Sequence, residues 1–594
     1  MRLRDSIICS ICIVLAVALL IIAGMRLDYI NSQRQKMKLI INEPLENAPP
    51  SLAFATVAMG AFRGLVVDIL WMRADKLKEE GQFFDAKQLA DWITTLQPRF
   101  ASVWEFHAWN MAYNISVAIP AIQPDQRWRW VKNGYELLRD QGIPLNPKSI
   151  ELYRELARIF QHKIGGVSDD AHKYYKLQLA LAMEPLLGPA DNEYFEALAK
   201  APTQWQQIIK DANVAELVTA LKSTDHTFAD ADAGKFVNNY LSLRQNPDRF
   251  DPAAFETIDN FRGKPALEKF DIFAKAYHLR NIWKLDPVLM QELNKTYGPI
   301  DFSDPNKHFP LDWRHPDSHA IYWGVKGLKE VTKDEDRKIT ITETNTDRII
   351  AHSLQNLFRY GKIFIYDVPI EISEDSSSQP TQRVVKEIFL RPDLRMFEPY
   401  HQSMLAILEK YKVLGEGGSL KSLQDGHRNM LINAIFLFYQ SGHKAQAQNI
   451  YEQSRKLYPL KQFNVPLVVF VRNRFLEELK SIDVFNAREQ IIALLRESYF
   501  RYALRDDDEA AGREKLAEEV WQIYLKEFPD EHRIDLPKFP LLRYFALLDF
   551  RNDGQYPLNL RQNLLGRIKI ERPDLFKQLE QQEEQLRKQA EKAG

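Results

Sequence analysis

Residues Asp68 to Pro98 read DILWMRADKLKEEGQFFDAKQLADWITTLQP, and this stretch decides the fold. Apolar residues recur at helical spacing on both sides of Gly81, namely Trp71, Leu77, Leu89, Ile93 and Leu96. Glycine tolerates the left-handed backbone that ends a helix, and proline cannot continue one. The stretch therefore predicts two helices that are joined by a turn at Gly81 and end before Pro98.

The same spacing returns twice in the C-terminal part of the chain. Residues Met430 to Pro459, MLINAIFLFYQSGHKAQAQNIYEQSRKLYP, form a second window, and a third runs through Gly512. Small and aromatic residues at matching positions allow two helices to approach closely and fill one face. We predict that these positions pack helical hairpins: Ala74, Gly81, Ala86, Ala90 and Pro98 in the first window; Gly442, Ala447, Tyr451 and Pro459 in the second; Gly512, Ala517, Trp521 and Pro529 in the third.

This spacing resembles that of the tetratricopeptide repeat family, most clearly in the first two windows. The third window departs from it, because Asp506 to Ala511 lengthens the turn. Four further segments match in part: Val103–Trp109, Trp128–Gln141, Ile150–Phe160 and Ala171–Met183. The resemblance implies an α-solenoid, in which stacked helix pairs bind peptides or helices of partner proteins. Asp68 to Gln82 also resembles the opening of membrane-anchored repeat proteins of bacteria.

An uncharged apolar run, Ser6 to Met25, precedes the repeats. At about 1.5 Å per residue, a helix of this length spans roughly 30 Å, the hydrocarbon thickness of a bilayer. We predict a single-pass signal anchor in the cytoplasmic membrane. The alternative is a cleaved signal peptide, but the exit Ile22 to Arg26 lacks a clear small-x-small cleavage site.

The orientation of the anchor has two interpretations. The basic residues after the run outnumber Arg2 and Arg4 before it, which would place the C-terminal side inside. The short basic segment before the run instead resembles a bacterial signal anchor with an exported domain, and we favour this extracytoplasmic placement. A second apolar stretch, Ser51 to Trp71, is interrupted by Arg63 and Asp68, which are costly at mid-bilayer. We predict that it begins the globular part.

Composition excludes several classes of protein. The net charge is -1, from 79 Lys and Arg against 80 Asp and Glu, so no basic excess favours nucleic acid. The two cysteines, Cys9 and Cys12, both lie in the apolar run, which leaves the rest without thiolate ligands or nucleophiles. We predict no cofactor and no catalytic activity.

The middle of the chain departs from the repeat pattern. Lys338 to Glu343 alternates and predicts a strand, while Gly361–Tyr366 and Val384–Phe389 flank a polar connector and predict a β-hairpin. The sequence therefore predicts a mainly α fold with a small β-hairpin insertion. The predicted segments are an anchor (1–30), a linker (31–50), helical repeats (51–188), an irregular helical region (189–335), a β-containing insertion (336–395), further repeats (396–577) and a charged tail (578–594).

One cluster has the composition of a chemical site. Asp312 to His319, DWRHPDSH, places two histidines and two carboxylates together before Tyr322 and Trp323. We interpret it as a loop that enters a helix, with Asp317 or Ser318 as N-cap and the histidines hydrogen-bonded. The alternative is a metal-dependent enzyme centred on residues 312–323.

The sequence favours a scaffold for protein partners over an enzyme. Stacked helix pairs offer extended surfaces, and a membrane anchor raises their local concentration. We expect the scaffold to act in an envelope, secretion or transport complex. A glycan-binding solenoid that uses exposed Trp and Tyr side chains is the remaining alternative.

Overall fold

The computed structural model describes residues 63–243, 245–301, 304–331, 340–372, 381–412, 418–479, 484–527, 536–552 and 556–593, with Leu15, Arg26, Tyr29 and Ser32. Within these residues, no helix combines the length and the apolar character needed to cross a membrane. Apart from Leu15, the predicted anchor Ser6 to Met25 lies outside the described residues. The anchor therefore stays a prediction.

The chain forms two compact units. The first comprises Met1–Leu156 and Lys329–Glu335, and the second comprises Ala157–Leu328 and Asp336–Gly594. From residue 63 to residue 158, the longer helices are α1 (Arg63–Glu79), α2 (Phe83–Leu96), α3 (Ala101–Trp109), α4 (Pro124–Leu137) and α5 (Ile150–Arg158). π-helical turns extend three of them: Asn110–Ile115, Leu138–Gly142 and Ile159–Ile164. The core of the first unit gathers Val67, Ala90, Ile93, Leu96 and Val103.

The second unit opens with a helical region whose own core is aromatic. Its helices are α6 (His172–Leu187), α7 (Asn192–Lys200), α8 (Trp205–Ile208), α9 (Ala212–Thr224), α10 (His226–Ala229), α11 (Ala233–Ser242), α12 (Pro252–Asn260), α13 (Pro265–His278), α14 (Pro287–Tyr297), α15 (Pro316–Val331) and α16 (Ile341–Tyr360). Phe236 and Phe270 lie at the centre of this core with rings 5.7 Å apart. In its described part, the region 189–335, predicted as an irregular helical region, thus consists largely of packed helices.

Aspartate begins many of these helices. Its carboxylate accepts hydrogen bonds from the first free amides, which stabilises a helix start. The N-caps of this kind are Asp191, Asp211, Asp225, Asp232, Asp251 and Asp286. Proline follows at the first helical position in α12 and α14, where its missing amide costs nothing. The aspartate N-caps and the prolines define where individual helices begin, so this part of the second unit forms helices without a repeat pattern.

The predicted β-hairpin is confirmed. Strands β1 (Lys362–Ile372) and β2 (Thr381–Arg391) pair antiparallel, from Lys362 opposite Arg391 to Ile372 opposite Thr381. Its apolar face, with Ile363 and Ile388, packs against α6. Residues 373–380 lie outside the described residues.

The strand predicted at Lys338 to Glu343 is wrong where the structure describes it. The helix α16 begins at Ile341, and the Thr340 hydroxyl accepts a hydrogen bond from the Glu343 amide at 3.2 Å. Threonine followed by an acid at this spacing is a helix-start signal, and it outweighs an alternation this short. Lys410 then forms an ion pair with the buried Glu343 carboxylate at 2.9 Å, which fixes the helix start.

In its described residues, the C-terminal part consists of helices joined by turns. Its helices are α17 (Phe397–Lys412), α18 (Gly418–Gln440), α19 (Lys444–Leu457), α20 (Leu467–Leu479), α21 (Val484–Ala503), α22 (Asp507–Glu527), α23 (Phe539–Asn552), α24 (Leu558–Glu571) and α25 (Pro573–Ala593). The predicted charged tail forms the end of α25. Helices α18 with α19, and α21 with α22, are hairpins like that of α1 and α2.

Candidate functional site

The predicted turns of the first two hairpins have one geometry. Gly81 and Gly442 adopt φ of 77° and 82°, in the left-handed region that favours glycine. The next amide donates back across the last turn, from Gln82 N to Leu77 O at 2.8 Å and from His443 N to Phe438 O at 2.9 Å. These bonds are those of a Schellman motif, which ends a helix and reverses the chain.

In the third hairpin, Arg505 and not Gly512 occupies the equivalent turn position. Arg505 has φ of 63°, and the Asp506 amide donates back to Arg501 O at 3.0 Å. The predicted turn at Gly512 is therefore wrong, because Gly512 lies inside α22. The repeat register predicted for this hairpin was therefore about two helical turns too far towards the C-terminus. In the corrected register, Ala510 takes the position of Ala86 and Ala447.

Gly512 has a different role, at the contact between two neighbouring hairpins. A Cβ atom on it would lie 2.6 Å from Ser441 Cα and 2.7 Å from Gln440 O, so only glycine fits. Arg513 Nη1 also donates to Gln440 Oε1 at 3.2 Å. The end of α18 and the start of α22 therefore meet backbone to backbone.

The other predicted packing residues fall into three groups. The alanines are all buried: Ala74, Ala86, Ala90, Ala447 and Ala517. Pro98 and Pro459 follow the ends of α2 and α19, while Pro529 lies outside the described residues. The two aromatic residues, Tyr451 and Trp521, contact parts of the chain outside their own hairpins. Tyr451 packs on Phe470 of α20 at 5.3 Å between ring centres, and Trp521 Nε1 donates to Pro537 O at 3.0 Å.

A groove of about 320 Å³ opens where α18, α20 and α22 meet. Its apolar lining includes Tyr439, Val468, Val471 and Ile523. Val468 is 61% exposed, although valine normally lies inside a folded chain. An apolar surface open to solvent beside a groove is typical of a protein-binding site.

Charged side chains border the groove unevenly. Arg472 and Lys526 line it, and the acid Glu519 also lines it but pairs with Lys444 at 3.4 Å. Lys444 also lies over the Tyr439 ring, 4.8 Å from its centre. The groove therefore has an apolar floor with a cationic margin, which suits an amphipathic segment that carries acidic residues.

Sequence reasoning missed this groove. The run Leu467 to Val471, LVVFV, carries more apolar residues than one buried helix face needs, and it was the available signal. Leu467, Phe470 and Val471 are buried, while Val468 and Val469 are exposed. Only the arrangement of the three helices shows that Val468 borders a cavity.

The histidines of the Asp312 to His319 cluster turn inward. His315 Nε2 donates to Tyr360 O at 3.1 Å, and its Nδ1 accepts from the Asp317 amide at 3.2 Å. His319 Nε2 donates to Trp313 O at 2.9 Å. His315 is therefore the N-cap acceptor of α15, a role predicted for Asp317 or Ser318. In the described parts of the chain, no His, Cys, Asp and Glu side chains are grouped as a metal ion requires.

Asp317 is fully buried in the first turn of α15. Burial raises the pKa of its carboxyl to about 7, and the hydrogen bond from Asn356 Nδ2 at 3.1 Å opposes this only in part. Burial likewise lowers the pKa of His315 to about 4 and the pKa of Lys176 to about 8. The cluster is therefore held near neutrality inside the fold.

We expect Asp317→Asn to stabilise the protein at pH 8. The raised pKa means that the ionised carboxylate opposes folding above pH 7, and this penalty fades as the pH falls towards the unfolded value near 4. The gain should be on the order of 2 kcal/mol at pH 8 and should shrink steadily below pH 7. Urea unfolding of both proteins across this pH range measures it. A gain independent of pH would contradict the buried-acid assignment.

Comparison with known proteins adds little to this geometry. No protein-family model matches the chain, and no curated protein matches it. Among solved structures, it is similar to a chain described as "Structure of Naa15/Naa10 bound to HypK-THB", at 11% sequence identity. The match covers 87% of this chain and 99% of that chain, with a TM-score of 0.12. A score this low carries no argument, so the functional case rests on the helical hairpins and the groove.

Proposed function

We propose that the chain is a membrane-anchored, tetratricopeptide-like scaffold that binds partner proteins and has no catalytic activity of its own. Its anchor would be Ser6 to Met25, in the cytoplasmic membrane, with the helical units on the extracytoplasmic side. Its setting would be an envelope, secretion or transport complex. Helical hairpins with shared turn geometry support the scaffold, and the uncharged run supports the anchor.

The observation that carries the proposal is the groove beside Val468. Its floor is apolar, its margin carries Arg472 and Lys526, and Val468 itself is largely solvent-exposed. Burying such a side chain in an interface contributes on the order of 1–2 kcal/mol to binding. The partner segment that fits is an amphipathic helix or extended peptide with acidic residues.

Val468→Glu is expected to reduce the partner protein retained by the full-length chain from native membranes by about tenfold. The substitution places a charge on the apolar floor and so weakens binding of an apolar side chain there. A tenfold reduction corresponds to a loss of ~1.4 kcal/mol in binding free energy. Quantitative mass spectrometry of the purified complexes measures the retained partner.

Val167→Glu is the matched control. Val167 is 74% exposed in the loop before α6 and is not among the residues that line the groove. This variant should retain the partner as the unaltered chain does. Equal retention by both glutamate variants would rule out the groove as the binding site.

A further inference from the structure

An exposed apolar segment, here called the apolar tip, lies between α3 and α4 and begins in the helical turn Ser116–Ala118. It consists of Val117 to Ile122, VAIPAI, which has no polar side chain. Val117 is 52% exposed and Ile122 is 88% exposed, and the alanines and the proline between them are exposed as well. The surfaces of soluble proteins rarely present large contiguous apolar patches, and such patches mark sites that contact another protein or a membrane.

Hydrogen bonds tie the backbone of the tip to the start of α4. Ile119 O accepts a hydrogen bond from Arg127 Nε at 2.7 Å, and the Gln123 amide donates to Pro120 O at 3.0 Å. Arg127 is itself buried, and Ser116 Oγ donates to Ala112 O at 2.6 Å just before the tip. Hydrogen bonds on both sides of the tip hold its backbone, while most of its apolar side chains stay exposed.

Two tryptophans follow the tip in the first two turns of α4. Trp128 and Trp130 are half-buried on α4, and Phe84 is 56% exposed with its ring 5.6 Å from that of Trp130. Exposed charges near the tip have both signs, with Arg129 and Lys132 on α4 and Asp125 at its start. Tryptophans that follow an exposed apolar segment are typical of segments that enter the membrane interface.

A bilayer fits this surface better than a protein groove does. The tip presents exposed apolar residues close together in the chain, and a fluid apolar phase covers such residues without a matching cavity. The first unit also follows the predicted anchor in the chain. Residues 26–62 between them reach at most roughly 130 Å when fully extended, so the tip of an anchored chain stays within reach of the bilayer surface.

We propose that the apolar tip Val117 to Ile122 inserts into the lipid bilayer that anchors the chain. This inference rests on the anchor in the proposed function. Insertion would bury Val117 and Ile122 in the acyl region, with Trp128 and Trp130 towards the headgroups. The tip would then be a second, reversible attachment that orients the first unit relative to the membrane.

Depth-dependent fluorescence quenching tests the inference on the full-length chain. Cys9→Ser and Cys12→Ser remove the native thiols, and Ile122→Cys then carries an NBD label at the tip. The protein is reconstituted into nanodiscs of phosphatidylcholine and phosphatidylglycerol, with or without doxyl-labelled lipid. We expect doxyl lipid to quench the label at position 122 several-fold. A label introduced by Val167→Cys is the control and should not be quenched.

A label introduced by Leu15→Cys separates this inference from the anchor itself. Quenching at position 15 without quenching at position 122 would overturn the inference and leave the anchor standing. Quenching at position 122 without quenching at position 15 would support the tip and contradict the anchor. A tip label that brightens but is not quenched would show that protein, such as a second copy of the chain, covers the tip, and this also overturns the inference.

Discussion

Asp506→Ala is expected to lower the free energy of unfolding around the β-hairpin by about 3–5 kcal/mol. Arg391 is 1% exposed at the end of β2, and its Nη1 pairs with Asp506 Oδ2 at 2.8 Å. The rings of Phe364, Phe389 and Phe500 surround its guanidinium, with centres 5.0 to 5.3 Å away. Removal of the carboxylate leaves a buried cation without its counter-charge.

A double variant separates the charge from the packing. Arg391→Met combined with Asp506→Ala removes both charges and keeps an apolar side chain among the rings. We expect it to be more stable than Asp506→Ala alone, because a buried ion pair is often replaceable by apolar groups. Hydrogen exchange of peptides from β2 and α21 measures the local opening free energy. A double variant no more stable than Asp506→Ala would contradict the role assigned to Arg391.

Gly512→Ala and Gly426→Ala should change stability in opposite directions. Both glycines lie inside helices, where alanine normally adds roughly 0.5–1 kcal/mol. At Gly426 nothing lies within 4 Å of an added Cβ, so this gain should appear in full. At Gly512 the Cβ would lie 2.6 Å from Ser441 Cα, and the two helices must separate at a cost of about 1–3 kcal/mol.

Urea unfolding of the two variants and the unaltered chain gives the comparison directly. The expected order of stability is Gly426→Ala, the unaltered chain, then Gly512→Ala. The two substitutions are chemically identical, so the difference between them reports the contact of α22 with the end of α18. Stabilisation by both alanines would mean that α18 and α22 do not meet at Gly512.

Each hairpin turn contains one residue in the left-handed conformation, and the sequence predicts the turn when that residue is glycine. Gly81 and Gly442 are visible because glycine favours that conformation, and Arg505 is not visible because arginine adopts it only in this context. Gly512 misled the prediction, since a glycine for close helix approach looks the same in sequence as a glycine for a turn. The β-hairpin was predictable from its two β-branched runs, and the Thr340 helix start was hidden by a short alternation.

The groove could not be predicted, because its lining comes from three helices far apart in the chain. In the sequence, Val468 looks like any other valine in a helix. Its exposure becomes apparent only in the packing of α20 with α18 and α22. The histidines at positions 315 and 319 show the converse. The segment around them has the composition of a chemical site. Both ring nitrogens of His315 and Nε2 of His319 nevertheless form hydrogen bonds with backbone groups.

Photo-crosslinking from position 468 in living cells tests the scaffold most directly. Benzoylphenylalanine replaces Val468 in the full-length chain, and Val167 in a parallel strain is the control. We predict a discrete adduct with one partner protein from position 468 under illumination, and none from position 167. The same pattern of adducts from both positions, or no adduct from position 468, would contradict a partner in the groove.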